Sequence, residues 1–215
     1  MSPASELAGL SGRRRQAARN DELILGAARA VFLTDPRAPV ADVAKRAGVG
    51  ISALYRRFES KEDLLRTLCH EGLRRYLAEA RAAEAEPDPW CALLGFLDAI
   101  VAADVHSLSV HLAGTFTPTE QMAIDARQAG ELTAAIVGRA AQAGLLRPGI
   151  VVADLTLILE ACTAIRVSDA ERARQLRRRL LAMLVTSLKA KPSAESELPG
   201  PPPESGELTR HWEPR

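Results

Sequence analysis

Residues Val40 to Leu65 read VADVAKRAGVGISALYRRFESKEDLL, and the fold follows from this stretch. Val40, Val43, Ala44 and Ala47 recur at helical spacing, so one face of the first segment is apolar. Gly48 ends that helix, because a residue without Cβ enters the left-handed conformation cheaply. Val49 turns inward and Gly50 opens a second short helix, Ile51 to Phe58, with Leu54 and Phe58 four apart on its inner face. Ser52, Ala53, Tyr55, Arg56 and Arg57 are left to face outward. Ser60 caps a third helix, with Asp63 at the third position in a variant of the capping box. Two short helices joined by a glycine turn, the second with small, aromatic and basic residues outward, describe a helix-turn-helix.

The chain has 215 residues, enough for one large domain or two small ones with a real core. Hydrophobic residues make up 47% but aromatics only 4%, with Ala and Leu dominant, which favours helices over strands. An all-α fold is expected, with about nine helices. The formal net charge is +1, so nucleic-acid affinity must be local. Met1 to Ser60 holds ten basic and six acidic residues, which leaves the remainder acidic by about three charges.

With its order Ala47-Gly48-Val49, Leu54-Tyr55, Phe58 and Ser60-Lys61-Glu62, the stretch resembles the DNA-binding signature of the TetR family of bacterial regulators. The match runs without a gap from about Asp21 to Leu68. The resemblance implies a three-helix DNA-binding domain at residues 20–66, then a larger helical ligand-binding and dimerisation domain at 67–190. It places base contacts at Gly50, Ile51, Ser52, Ala53 and Tyr55, which here are mostly small and apolar. Ser52 can supply a hydrogen bond, while Ile51 and Ala53 can meet thymine methyls. Guanine reading would fall to Arg56, or arm arginines would act in the minor groove. Tyr55, Arg57 and Lys61 match positions that usually bind phosphate, and relatives often carry His where Arg57 stands. Gly50 replaces the usual Ser or Thr cap, and Pro39 replaces a Thr whose hydroxyl can touch phosphate.

Around this stretch the chain reads as follows. Met1 to Arg19 has no periodicity and is expected as a flexible arm ending in Arg13-Arg14-Arg15. Asn20 or Asp21 can cap the first helix, with Ile24, Ala27, Ala28, Val31 and Phe32 inward. Pro39 is expected at the first helical position. A long helix from Glu62 to about Ala85 precedes the break Glu86-Pro87-Asp88-Pro89, with Asp88 as the next cap. Helices are then expected over Pro89–Ala103, Val105–Gly114, from a Thr117-Pro118-Thr119-Glu120 capping box to Ala143, over Ile150–Arg166, and from a Ser168-Asp169-Ala170-Glu171 capping box to about Leu188. The Ile150–Arg166 helix is apolar on nearly every side and demands cover all round. On the last helix Ala173, Leu176, Leu180, Met183, Leu184 and Leu188 are expected inward, with Arg172, Arg174, Arg177, Arg178 and Arg179 solvated. Residues 191–215, rich in Pro, Glu, Ser and Gly, read as a disordered tail.

Catalytic patterns fail. His70-Glu71 lacks a second His at zinc-helix spacing, Gly48-Val49-Gly50 lacks the third glycine of a dinucleotide loop, and His106 and His111 point from different helix faces. Cys69, Cys91 and Cys162 have no metal-like spacing and read as small hydrophobes. No cofactor, metal or enzymatic activity is expected. No signal peptide is visible, and the most apolar run, Ile150 to Leu159, is too short for a bilayer, so a cytoplasmic protein with no membrane partner is expected. The resemblance implies a homodimeric regulator on a palindromic double-stranded DNA operator, a repressor released by a small apolar effector. Trp90, Phe96, Ile100, His111, Phe116, Met122, Leu159 and Cys162 are the expected ligand-binding residues. The other reading is a helical dimeric interaction protein without ligand response or with lost DNA binding.

Overall fold

The computed structural model describes the backbone of residues 3–112, 114–190, 198 and 201–203; the side chains of residues 3–18, 107 and 109–111 lie outside that description. The described residues form nine α-helices and no strand beyond one isolated bridge. They fall into two compact units, Met1–Leu68 and Cys69–Arg215.

The first unit holds α1 (Pro3–Thr34), α2 (Val40–Ala47), α3 (Ile51–Arg57) and the start of α4 (Lys61–Glu84). Helix α1 begins at Pro3 and not at Asn20 or Asp21 as expected. Residues 3–19 are rich in Ala and Arg, which are strong helix formers even without an apolar stripe. Whether Arg13, Arg14 and Arg15 act as an arm lies outside the described side chains. Pro39 occupies the N-cap of α2, one residue before the expected position, with extended backbone at φ −70°, ψ 151°. Gly48 closes α2 at φ +68°, and the Val49 amide returns to the Ala44 carbonyl at 3.0 Å. That six-to-one bond is the Schellman closure, and it needs a residue at ease in the left-handed region. The core packs Ile24, Ala28 and Phe32 of α1 with Val43, Leu54, Phe58, Leu64 and Leu68, all buried. Ser60 Oγ accepts the Asp63 amide at 3.0 Å, so the α4 start lies where the capping box put it.

In the second unit, α5 (Pro89–Ala102) starts with the Asp88 side chain accepting the Cys91 amide at 2.7 Å. That bond also holds the Asp88 carboxyl below its ordinary range. Helix α6 (Val105–Leu112) follows, then α7 (Glu120–Gln142), α8 (Val152–Thr163) and α9 (Ala170–Leu188). Three expected boundaries move inward. Thr119, not Thr117, caps α7 by accepting the Met122 amide at 3.2 Å. Asp169, not Ser168, caps α9 by accepting from Glu171 and Arg172. Helix α8 spans 12 residues, shorter than the expected Ile150–Arg166, because the Asp154 carboxylate takes the Val151 amide at 2.8 Å and fixes the start there.

The core of this unit gathers Leu93, Phe96, Leu97 and Ile100 of α5 with Ile136, Ala140, Leu155, Leu159, Cys162 and Leu181. Phe96 meets the Tyr76 ring edge-on at 5.2 Å, and the buried Tyr76 hydroxyl hydrogen-bonds Thr133 at 2.9 Å. Met183, expected inward, is 58% exposed, because the inner stripe of α9 is Ala173, Leu181 and Leu188. The end of α9 is fastened by backbone hydrogen bonds from the Arg147 amide to the Leu188 carbonyl and from the Ala190 amide to the Leu145 carbonyl. The expected tail, 191–215, lies almost wholly outside the described residues.

Candidate nucleic-acid interface and ligand recess

Helix α3 is seven residues long, too short to be stable alone, and depends on its anchors. Leu54 is 1% exposed and Phe58, just past the last turn, is fully buried. Side chains not on that anchored face must point away from the unit. Ile51 is 41% and Tyr55 49% exposed; Gly50, Ser52, Arg56 and Arg57 are exposed as well, and Ala53 is half-buried. Seven of the eight expected DNA-facing residues thus share one short segment, with both of its arginines in the last turn.

Two of the expected phosphate binders already have partners inside the first unit. Arg57 Nε donates to Asp21 at 2.8 Å, and its guanidinium lies 5.0 Å from the Phe58 ring centre. This pair is half-exposed on the arginine side, so water screens it and it fixes a rotamer more than it stabilises the fold. Lys61 is more committed. Its ammonium donates to the carbonyls of Pro36 at 3.0 Å and Ala38 at 2.8 Å, and sits 5.1 Å over the Phe32 ring. It ties the α1–α2 turn to the start of α4. Neither Asp21 nor this staple was read from the sequence, because both join residues more than 20 positions apart.

In the second unit, Ile100, Leu159 and Cys162 line one recess together with Val101, Asp104, His106, Thr163 and Arg177. The recess is slight: its enclosed volume is about 10 Å³, room for one water and far below the roughly 300–1,000 Å³ of typical small-molecule sites. Phe96 is buried in the adjoining core and Trp90 packs against that core under the Lys189 ammonium, 5.4 Å from its ring centre. Met122 is buried and Phe116 half-buried, but neither lines the recess. The His111 side chain lies outside the described residues.

The polar rim of the recess is built by Arg177, which the sequence reading left on a solvated face. Its side chain is only 12% exposed; Nη1 pairs with Asp104 at 2.7 Å, while Nε and Nη2 donate to the Ile165 carbonyl at 3.2 and 3.1 Å. Its neighbour Arg178 forms a two-pronged pair with Asp98, at 2.7 and 2.8 Å, which pushes its own pKa up. The spacing Ala173, Arg177, Leu181 places Arg177 on the buried stripe of α9, and that signal was present in the sequence. Asp104 takes φ +52°, the described non-glycine residue in the left-handed region. Burial pushes the Cys162 thiol up, so it is a neutral wall of the recess.

An anchored helix-turn-helix followed by a separate all-helical unit with an internal recess defines a one-component DNA-binding regulator architecture. Residues 24–68 match the family model described as bacterial regulatory proteins, tetR family, and residues 88–190 match that of the SbtR-like transcriptional regulator C-terminal domain. The chain belongs to the TetR family of transcriptional regulators, as its resemblance implied. A TetR regulatory protein from Mycobacterium vanbaalenii is 25% identical with a TM-score of 0.54, over 82% of this chain and 99% of that one. LfrR from Mycobacterium smegmatis, solved in complex with proflavine, is 22% identical with a TM-score of 0.54, over 80% of this chain and 98% of its own. KstR2 of Mycobacterium tuberculosis, a ketosteroid transcriptional regulator, is 20% identical with a TM-score of 0.59, over 80% and 96%. No curated protein matches the chain in sequence. No helix among the described residues is long and apolar enough to cross a membrane.

Proposed function

We propose that this chain is a cytoplasmic repressor that binds a palindromic operator as a homodimer and is released by a small, largely apolar ligand. The observation that carries this reading is the α3 surface: Ile51, Ser52, Tyr55, Arg56 and Arg57 stand exposed on a helix held from behind by Leu54 and Phe58. A major groove accepts such a helix, with Ile51 and Ala53 toward thymine methyls, Ser52 as hydrogen-bond donor and Arg56 toward guanine. Arg57 and Tyr55 reach phosphates, which set register without reading sequence.

Exposed Leu157 on α8 and Met183 on α9, 44% and 58% accessible, support a second copy as the cover for these last two helices. Two copies present two α3 helices, which asks for a palindrome with half-sites one helical turn or more apart. Helix α6 carries His106 of the recess and rests on α4 at Gly72, where a Cβ would meet Val105 at 3.5 Å. A ligand that enlarges the recess therefore bears on α4, and release is a population shift between two states.

Selection of bound sequences from random DNA tests the reading directly. The expected result is an enriched palindrome, with T-rich positions opposite Ile51 and Ala53 and one guanine dependent on Arg56. No enrichment, with no retardation of DNA at low salt, overturns it.

A further inference from the structure

We infer that Asp21 is a positioning residue for DNA binding: it holds Arg57 by Nε, so that the opposite edge of the guanidinium, Nη1 and Nη2, is presented to a phosphate. This deepens the DNA-binding part of the proposed function and rests on it. Asp21 is well placed for the task. It continues the inner stripe of α1, three, four and seven positions before Ile24, Leu25 and Ala28, all of which are buried. The carboxylate is therefore carried on the anchored face of a helix, and Arg57 comes to it from the last turn of α3. The guanidinium also lies 5.0 Å from the centre of the Phe58 ring, which is fully buried and cannot swing away. Arg57 is thus held on one edge and one face.

The opposite role, a carboxylate that masks Arg57 from DNA, fits the bonding less well. A carboxylate that saturates an arginine takes two nitrogens at once, as Asp98 does with Nε and Nη2 of Arg178. Asp21 instead sets both of its oxygens on Nε alone, at 2.9 and 2.8 Å. Among the described residues neither Nη1 nor Nη2 of Arg57 has a hydrogen-bond partner, so a phosphate can be taken end-on without breaking the pair. Arginine carries much rotamer entropy, and a side chain already fixed in its bound orientation gives up less of it when the phosphate arrives. The pair is too exposed to add much to stability, with Arg57 53% and Asp21 27% accessible. Its effect falls on the orientation of a contact that sets the register of α3 on the duplex.

Asp21→Asn and Asp21→Ala remove the same negative charge, so comparing the two cancels repulsion between Asp21 and DNA. They differ in that Asn keeps an oxygen that accepts from Nε, while Ala keeps none. Both are titrated, in the full-length protein and at one salt concentration, against the duplex that wild type enriches from random DNA. Asp21→Asn is expected to bind about fivefold more tightly than Asp21→Ala, the scale of one neutral hydrogen bond. A masking carboxylate gives the reverse order, because Ala would free Arg57 completely. Equal affinities, or tighter binding by Asp21→Ala, overturn the inference. The same pair of substitutions is then made on Arg57→Ala, where the difference should vanish; a difference that persists shows that Asp21 does not act through Arg57 and also overturns it. This double-mutant cycle cancels any common effect on the fold, which circular dichroism follows in each variant. Ala is the better helix former at a position inside α1, so weaker DNA binding by Asp21→Ala is not a sign of a weakened helix. Retardation of DNA by wild type, with no Asn-over-Ala preference, sinks the inference alone. No DNA binding by wild type sinks the regulator reading and the inference with it.

Discussion

Replacing Lys61 by Ala separates a DNA contact from a structural staple. The ammonium makes two hydrogen bonds to carbonyls, at 3.0 and 2.8 Å, and lies over the Phe32 ring. Hydrogen bonds to a charged group contribute about 1.5–3 kcal/mol each when buried, but this site is half-buried and water can reach the carbonyls once the side chain is gone. We therefore take about 1 kcal/mol for each bond. The ring contact adds about 0.5–1 kcal/mol. The sum is about 2.5–3 kcal/mol, a roughly 60- to 150-fold change in a local opening equilibrium. Because the chain has two units, a single unfolding midpoint would blur the effect. Backbone hydrogen exchange in α2 and α3 resolves it, and protection there should fall by that factor while α5 and α9 are unaffected. Lys61→Met keeps the stem over Phe32 and should lose less. A full phosphate contact would instead show as a salt slope shallower by about 0.9 with unchanged protection. Wild-type exchange rates in Lys61→Ala, together with that shallower slope, would refute the staple.

Other predictions rest on single contacts. Arg57→Ala should cost at most about 1 kcal/mol of stability, given its exposure, yet flatten the salt dependence of DNA binding by about one phosphate, measured by titration at several salt concentrations. Phe96→Ala empties a fully packed site against Tyr76 and should destabilise the second unit by about 3–5 kcal/mol in chemical denaturation. Gly72→Ala places a Cβ at an ordinary contact distance inside a helix and should gain about 0.5–1 kcal/mol; a loss would mean that α6 sits closer to α4 than the structure has it. Asp125 is held below the ordinary carboxylate range by its 2.8 Å bond to His70, so its contribution is complete above that range and is lost as pH falls through its lowered value. Acid unfolding of Asp125→Asn should begin at higher pH than in wild type.

The helix-turn-helix was legible because its determinants are local: a glycine after an apolar stripe, Leu54 and Phe58 four apart, and a Ser–Asp cap. Each expresses a preference that a few consecutive residues satisfy among themselves. The inner side of α9 was read less well. Six apolar positions competed for the buried stripe, and the chosen one includes Arg177 because a distant Asp104 and the Ile165 carbonyl satisfy its charge. Long-range partners of this kind leave no mark at fixed spacing. The same holds for Lys61, whose match to a phosphate-binding position gave no sign of the two carbonyls it bonds in a turn more than 20 residues upstream. Two cap positions moved for a smaller reason. Where two hydroxyl or carboxylate residues stand within two positions, such as Thr117 and Thr119, either satisfies the local rule.

The fastening at the end of α9 has a mechanical consequence. Leu146 and Lys189 pair as a lone antiparallel bridge, with a backbone hydrogen bond of 2.8 Å on one side and 2.9 Å on the other. A helix terminus ordinarily frays one residue at a time. Here a force applied beyond Ala190 loads both bonds before it reaches the last turn, while Leu188 holds its place in the core. A pull that reaches Ala190 must break this clasp before it unwinds α9, so the start of unfolding there depends on the residues after α7 as well as on α9 itself.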